Sequence, residues 1–218
     1  MQLVMFDLDH TLIRCDSFAG FARELLLRRW WRTAMTIAIG PAIATFWMMR
    51  RTRKLAGSTL LWTATVGMSE REFDELMDRH VAERFGGNAA LLCARAIEEL
   101  KKHQDEGARV VIVTGAAAPL AERICRQIGL EKTELVGSSL RRWLGGYIAD
   151  EHCFGEHKIR MLTSRGFPRP WACVYTDSSS DLPLLEHGTR RFLVNPKPKC
   201  RLKVQNALGA EFELIEWN

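Results

Sequence analysis

The sequence predicts an α/β protein: a doubly wound, Rossmann-like parallel sheet with a helical cap inserted after the first strand. Three observations predict it. Short runs rich in β-branched and aromatic residues recur along the chain, amphipathic helical patterns alternate with the later runs, and acidic or hydroxyl residues directly follow three of them.

The first run, 2–6 (QLVMF), reads as a buried strand, and 109–113 (RVVIV), 172–176 (ACVYT) and 191–194 (RFLV) read as three more. Residues 89–104 place Leu92, Ala96, Ile97 and Leu100 on one helical face with charges between them, and Pro119 to Ile128 repeats that pattern, as strand–helix alternation requires. From about 16 to 90 the rhythm breaks into long helical stretches without a convincing strand. A helical insertion accounts for this, giving a core of 1–15 and 91–218 and a cap of 16–90. Near 134–151, LVGSSLRRW and YIAD flank Leu144-Gly145-Gly146, which predicts a β-hairpin. Asn195-Pro196-Lys197-Pro198-Lys199 reads as a basic loop before a final short element, with no function assigned to it.

A chain of 218 residues buries a sufficient core without disulfides or a structural metal. Its six cysteines form no CxxC pair and no zinc-ligand spacing, so reduced, mostly buried thiols are expected. The formal charge of +5 is modest, and composition does not call for nucleic acid. Because the first residues already read as a strand, no secretory leader is expected, which points to the cytoplasmic side.

The strongest signal is chemical. Asp7-Leu8-Asp9-His10-Thr11 follows the first strand, Thr114-Gly115 the second, and Asp177-Ser178-Ser179-Ser180-Asp181 the third. A lone DxD says little, since aspartate caps helices and turns everywhere. Placed at the carboxyl ends of several strands of one sheet, the same acids converge on one crevice. Clustered carboxylates are costly unless a cation neutralises them. A hard cation with oxygen ligands is therefore implied, and magnesium is the usual one beside phosphate. Lys158, in Gly155-Glu156-His157-Lys158, brings a counter-charge to the set.

In this order and strand context, DxDxT, a strand ending in Thr-Gly, a lysine and DxxxD resemble the four motifs of the haloacid dehalogenase superfamily. The helical insertion resembles the cap of its phosphoserine-phosphatase-like branch, subfamily IB. The resemblance implies a phosphate-monoester hydrolase in which Asp7 is the nucleophile and forms an aspartyl-phosphate. It implies that Asp9 is the general acid and base. Mg2+ would be held by the Asp7 carboxylate, the Asp9 backbone carbonyl and Asp177, with Asp181 in support. Thr114 and Gly115 would bind the phosphoryl oxygens, and Lys158 would tie the phosphoryl group to Asp7. An acid at Asp9 also separates phosphate-ester cleavage from halide loss.

Two residues near this set stay open. His10 is either a loop residue at the crevice wall or a further base. Asp16 stands where the phosphoserine enzymes place a glutamate that reads the substrate amine, and it equally suits a helix start.

Residues 33–49 contain no charged side chain and are fenced by Arg28, Arg29, Trp30, Trp31 and Arg32 before and Arg50, Arg51, Arg53 and Lys54 after. As a helix the segment reaches roughly 25 Å, the lower limit for a bilayer, and Gly40-Pro41 is expected to interrupt it. Two readings remain: a segment of 28–54 resting at a membrane surface, and a buried helix of the cap bundle. The runs LLLRRWW, LLWTATVG, LRRWLGGYIADEHCFGEHK and YTDSSSDLPLL resemble the phosphatidylglycerophosphatase C family of bacterial inner-membrane enzymes. That resemblance implies an anionic phospholipid substrate, phosphatidylglycerophosphate, met at the cytoplasmic side of the inner membrane. The alternatives are a soluble, cytoplasmic phosphatase for a small metabolite such as phosphoserine, and a non-catalytic phospho-acceptor domain. The long insertion and the DxxxD run argue against the last.

Overall fold

Val4, Met5 and Phe6 are fully buried, so this short run cannot be an edge strand. In the computed structural model, which describes residues 2–48 and 53–217, it is β1 (Leu3–Phe6), an inner strand. It pairs in parallel with β2 (Arg109–Ala117) on one side and β6 (Trp171–Thr176) on the other. β3 (Glu134–Ser138) extends the sheet beyond β2, and β7 (Gly188–Val194) and β8 (Glu213–Ile215) extend it beyond β6. The resulting order is β3-β2-β1-β6-β7-β8, with every neighbouring pair parallel. A separate antiparallel hairpin joins β4 (Leu140–Trp143) to β5 (Gly146–Ala149).

Between β1 and β2 stand α1 (Ser17–Leu27), α2 (Trp30–Met48), α3 (Arg53–Thr65) and α4 (Glu70–Phe85). The remaining helices are α5 (Ala94–Asp105), α6 (Ala118–Gln127), α7 (Glu156–Ser164), α8 (Leu182–Glu186) and α9 (Pro198–Leu208). Alternation along β1 divides the core into two layers, because successive side chains leave a strand on opposite faces. Val4 and Phe6 join Ile112, Leu120, Ile124 and Tyr175 on one face, and Met5 joins Val111, Ile159, Leu162, Leu184 and Val204 on the other. Phe21, Leu25, Phe73, Leu76 and Phe85 of the inserted helices belong to the first layer. The insertion thus shares apolar packing with the sheet.

The structure departs from the sequence expectations at several places. Residues 134–138, expected within a hairpin, form an edge strand of the main sheet, where Arg109 of β2 forks onto Glu134. The hairpin proper begins at Leu140 and turns at Leu144-Gly145, both at positive φ, as a tight two-residue turn demands. The helix expected over 89–104 starts only at Ala94, after a 3-10 turn at Ala89–Leu91. Leu12 and Ile13 claim the intervening residues: Cys93 N donates to Leu12 O (2.9 Å) and Leu92 bridges to Ile13. The basic loop expected through Lys199 gives way to α9 at Pro198, because proline suits a first helical turn.

The expected interruption at Gly40-Pro41 is absent, since α2 runs through Pro41. Arg32, counted in the basic flank, is buried and donates to Val66 O (2.9 Å), so it is not offered to the surface. Trp30, Ile37 and Leu27 are exposed. Arg50 and Arg51 of the other flank lie outside the described residues. Among the described residues no helix is long and apolar enough to cross a membrane.

The hairpin is clasped against α3 and the turn after it. Trp62 Nε1 donates to Trp143 O (3.1 Å), Gly67 N to Gly145 O (2.8 Å) and Tyr147 N to Thr65 Oγ1 (2.8 Å). A Cβ on Gly146 would lie 2.7 Å from Trp62 Cδ1, and the indole is pinned by its own hydrogen bond. Gly146→Ala is therefore expected to cost about 1–3 kcal/mol in urea unfolding. Gly57→Ala, in α3 with nothing within 4 Å of its Cβ, is expected to be neutral or stabilising by the same measurement.

Candidate active site

The parallel registers set Phe6 opposite Ile112 on one side and Tyr175 on the other. Residues just past these partners share the carboxyl edge of the sheet, with strands about 4.8 Å apart. Asp7 extends β1 by donating its N–H to Tyr175 O (2.9 Å). Thr114 and Gly115 lie in β2, and Asp177 follows β6, so all four reach the same edge. Asp181 closes a 3-10 turn (Ser179–Asp181) and is buried.

Lys158 completes the centre. It is the third residue of α7, reached through Gly155, whose φ of 54° lets the chain turn sharply into the helix. Its Nζ donates to Asp7 Oδ1 and to Asp181 Oδ2, each at 2.7 Å, and all three side chains are buried. Thr176 Oγ1 donates to the same Asp181 Oδ2 (2.9 Å), and Asp181 Oδ1 is buried with no hydrogen-bond partner among the described residues.

Charge is unbalanced here. Burial alone would lower the Lys158 ammonium, but Asp181 and Asp7 outweigh it and hold its pKa above the usual lysine range. One ammonium cannot neutralise two carboxylates. Burial pushes the Asp7 carboxyl up, Lys158 pulls it back, and Asp181 raises it again, leaving it well above the usual value. Burial also raises Asp177, against the charge of His10, and raises Asp9 to about 6. Asp9 Oδ1 accepts the Ser17 N–H (3.0 Å) at the start of α1.

Two residues that sequence reasoning missed position this set. Thr176 holds Asp181, and its place at the last residue of a buried strand was the available signal. Ser138 Oγ donates to Gly115 O (2.8 Å) and accepts from Cys153 N (3.0 Å), tying the end of β2 to the segment that leads into α7. Nothing local marks Ser138, because its partners are distant in the chain. Thr114 Oγ1 accepts the Ala116 N–H (3.1 Å). His10 adopts φ 59° in the turn after Asp9. Asp16 is the N-cap of α1, its Oδ1 accepting from Ala19 N (2.8 Å).

The donor set suits a hard cation. Surplus buried negative charge, the unpartnered Asp181 Oδ1 and the half-buried Asp177 are oxygen donors without a full complement of positive charge. Among the described residues no three acidic, histidine or cysteine side chains form a closed cage. Magnesium does not require one, because it keeps several waters and takes one or two carboxylates.

Removing the ammonium tests the electrostatics directly. Lys158→Met leaves Asp7 and Asp181 buried without it, and a loss of about 3–5 kcal/mol is expected in urea unfolding in the presence of chelator. A loss under about 1 kcal/mol, the scale of an exposed ion pair, would mean that water already screens the three groups.

Comparison with known proteins places this geometry. The family model for haloacid dehalogenase-like hydrolases matches residues 4–186. The phosphoserine phosphatase SerB1 of Mycobacterium tuberculosis is 25% identical over 90% of this chain and 65% of its own length, so the chain spans about two thirds of that relative. A protein of unknown function from Bordetella pertussis Tohama I superposes over 100% of both chains with a TM-score of 0.76 at 23% identity. A phospho-aspartyl intermediate analogue of phosphoserine phosphatase superposes over 98% of this chain and 92% of its own with a TM-score of 0.55 at 14% identity, a likeness of fold. With its sheet, its strand-end acids and this match over most of its length, the chain belongs to the haloacid dehalogenase-like hydrolases.

Proposed function

We propose that the protein is a magnesium-dependent phosphoric monoester hydrolase that works through an aspartyl-phosphate on Asp7, with an anionic phospholipid as its substrate. The observation that carries the reaction is the buried bridge from Lys158 Nζ to Asp7 Oδ1 and Asp181 Oδ2. It holds a carboxylate at the edge of a parallel sheet, aligned and deprived of water, beside an ammonium that would offset the charge of an incoming phosphoryl group.

In the first step an Asp7 carboxylate oxygen attacks phosphorus, the bond from phosphorus to the ester oxygen breaks, and Asp9 gives its proton to the departing alkoxide. In the second step Asp9 takes a proton from water, the water oxygen bonds phosphorus, and the acyl-phosphate bond breaks to return the Asp7 carboxylate and inorganic phosphate. A carboxyl raised to about 6 by burial suits this exchange, because it gives and recovers a proton near neutrality. Thr114 and Gly115 orient the phosphoryl oxygens, and Lys158 balances their charge. The Asp7 carboxylate, the Asp9 backbone carbonyl and Asp177, with Asp181 behind them, would hold Mg2+, which when bound supplies positive charge against the phosphoryl oxygens. Residues 16–90 act as the cap that selects the leaving group, and the core comprises 1–15 and 91–218.

The lipid reading is supported by the surface of the inserted helices, where Leu27 at the end of α1 and Trp30 and Ile37 of α2, whose one charged residue Arg32 is buried, stand exposed beside Arg28 and Arg29. A second reading, a phosphatase for phosphoserine or a similar metabolite, is favoured by the phosphoserine phosphatase named among the relatives. Against it, Asp16 is already engaged in capping α1.

Phosphate release separates these readings. Asp7→Asn is expected to abolish turnover with the fold intact, and retention of more than about a tenth of the rate would remove Asp7 as the nucleophile. Asp9→Asn is expected to slow turnover by about 10²–10⁴-fold. EDTA is expected to stop the reaction and added Mg2+ to restore it. Release from phosphatidylglycerophosphate with little from phosphoserine supports the lipid substrate, and the reverse pattern replaces it with the metabolite.

A further inference from the structure

From His187 to Ala210 the chain carries Arg190, Arg191, Lys197, Lys199, Arg201 and Lys203 and no acidic residue. The structure treats these cations in two ways. Arg190 and Arg191, on β7, pair with Glu213 and Glu211. Lys197, Lys199, Arg201 and Lys203 are exposed, and none makes an ion pair among the described residues. They lie at and just inside the start of α9, with Leu202, 59% exposed, among them.

Their position relates them to the site. β7 is parallel to β6, so α9 starts from the same edge of the sheet that carries Asp7 and Asp177. Ser179 Oγ, inside the Asp177–Asp181 turn, donates to Cys200 Sγ of α9 (3.7 Å). On another side of that turn, Gly155 approaches Ser180 O, with a Cβ position 3.8 Å from it, and the adjoining Phe154 is 52% exposed. Unpaired cations and two exposed apolar side chains thus border the acidic turn of the catalytic crevice.

We propose that this rim, Lys197, Lys199, Arg201 and Lys203 with Leu202 and Phe154, is a docking surface for an anionic lipid bilayer that holds the mouth of the crevice against the headgroups. The inference rests on the lipid-phosphate reading and adds to it a contact on the core, separate from α2. Charge complementarity selects the partner's sign, because a cation near an anionic leaflet gains by approaching it, whereas the same four cations close together in water repel one another. The interspersed Leu202 and Phe154 favour a bilayer over a nucleic acid, since they find an apolar layer below the phosphates. Seating the crevice rim at headgroup depth presents a phosphate monoester lipid to Asp7 without drawing the lipid out of the leaflet.

The test is partition of the full chain into vesicles of phosphatidylcholine containing phosphatidylglycerol, and into vesicles of phosphatidylcholine alone. The wild type is expected to favour the anionic vesicles and to dissociate at high salt. Lys197→Gln, Lys199→Gln, Arg201→Gln and Lys203→Gln combined are expected to weaken that partition by roughly several hundredfold, each cation near the surface being worth about fivefold. Leu202→Ser alone is expected to weaken it several-fold, while hydrolysis of the soluble ester p-nitrophenyl phosphate stays at the wild-type rate in both variants. Equal partition of the wild type and the quadruple variant overturns the inference, as does equal binding to neutral vesicles, or retention of the wild type by an RNA homopolymer and not by vesicles. Hydrolysis of detergent-dispersed phosphatidylglycerophosphate reads the substrate separately: its absence, with charge-dependent vesicle binding intact, removes the lipid substrate and leaves the docking surface standing.

Discussion

The ammonium of Lys158 between Asp7 and Asp181 is the constraint around which the carboxyl edge of the sheet is arranged. Two carboxylates this close and this buried would repel and take up protons if left alone. The lysine offsets one charge and leaves the other, so the centre is stable enough to fold yet still attracts a cation. Supporting contacts converge on it: Thr176 orients Asp181, and Ser138 fixes both the end of β2 and the approach to α7. Burying such groups is worth their desolvation when their hydrogen bonds are satisfied, and Asp181 Oδ1 is the one atom of the Lys158 bridge left buried without a partner among the described residues.

The sheet makes that arrangement possible. β1 lies between β2 and β6; the chain runs outward through β2 and β3 on one side and then crosses to β6, β7 and β8 on the other, and this reversal of strand order opens a crevice at the carboxyl ends of the strands. Four short peptide segments, far apart in the chain, end at this crevice because parallel registers align strand ends irrespective of sequence distance. The inserted helices lie on the same apolar layer through Phe21, Leu25, Phe73 and Phe85, so they are anchored beside the crevice by the core and not by the connecting segments alone.

Much of this was legible in the sequence, and the reason differs between parts. The four buried strands are continuous apolar runs, and acids after two of them and Thr114-Gly115 after a third end those runs abruptly; both are local signals. Asp7, Thr114, Lys158, Asp177 and Asp181 were therefore nameable, and the structure brings the first two strand ends, the lysine and the acidic turn to one edge. β3 was misplaced because Leu135 and Val136 share a stretch with the hairpin's Gly-Gly turn, and their pairing opposite Ile112 and Val113 of β2, reinforced by the Arg109–Glu134 fork, depends on residues distant in the chain. β8 is three residues long, its central Leu214 is partly exposed, and it carries too little pattern to be seen. Pro41 was expected to break a helix; α2 passes through it because a proline removes one hydrogen bond and does not forbid the turns on either side.

The hairpin ties these observations together. It arises directly after β3, lays its turn against Trp62, Thr65 and Gly67 at the end of α3, and returns through Cys153 and Gly155 to Lys158. The segment that fixes the ammonium at the crevice is therefore continuous, within a dozen residues, with the segment that clasps the inserted helices. A substitution at Gly146 and one at Ser138 act on opposite ends of the same strap. The first alters how the helices are held, and the second alters where Gly115 and the start of α7 stand. Half-buried Tyr147 stacking on buried Phe73 at 4.2 Å gives the clasp an apolar component that salt cannot screen. Packing thus fixes where the helices stand over the sheet, and charge fixes where Asp7 points, through one short length of chain.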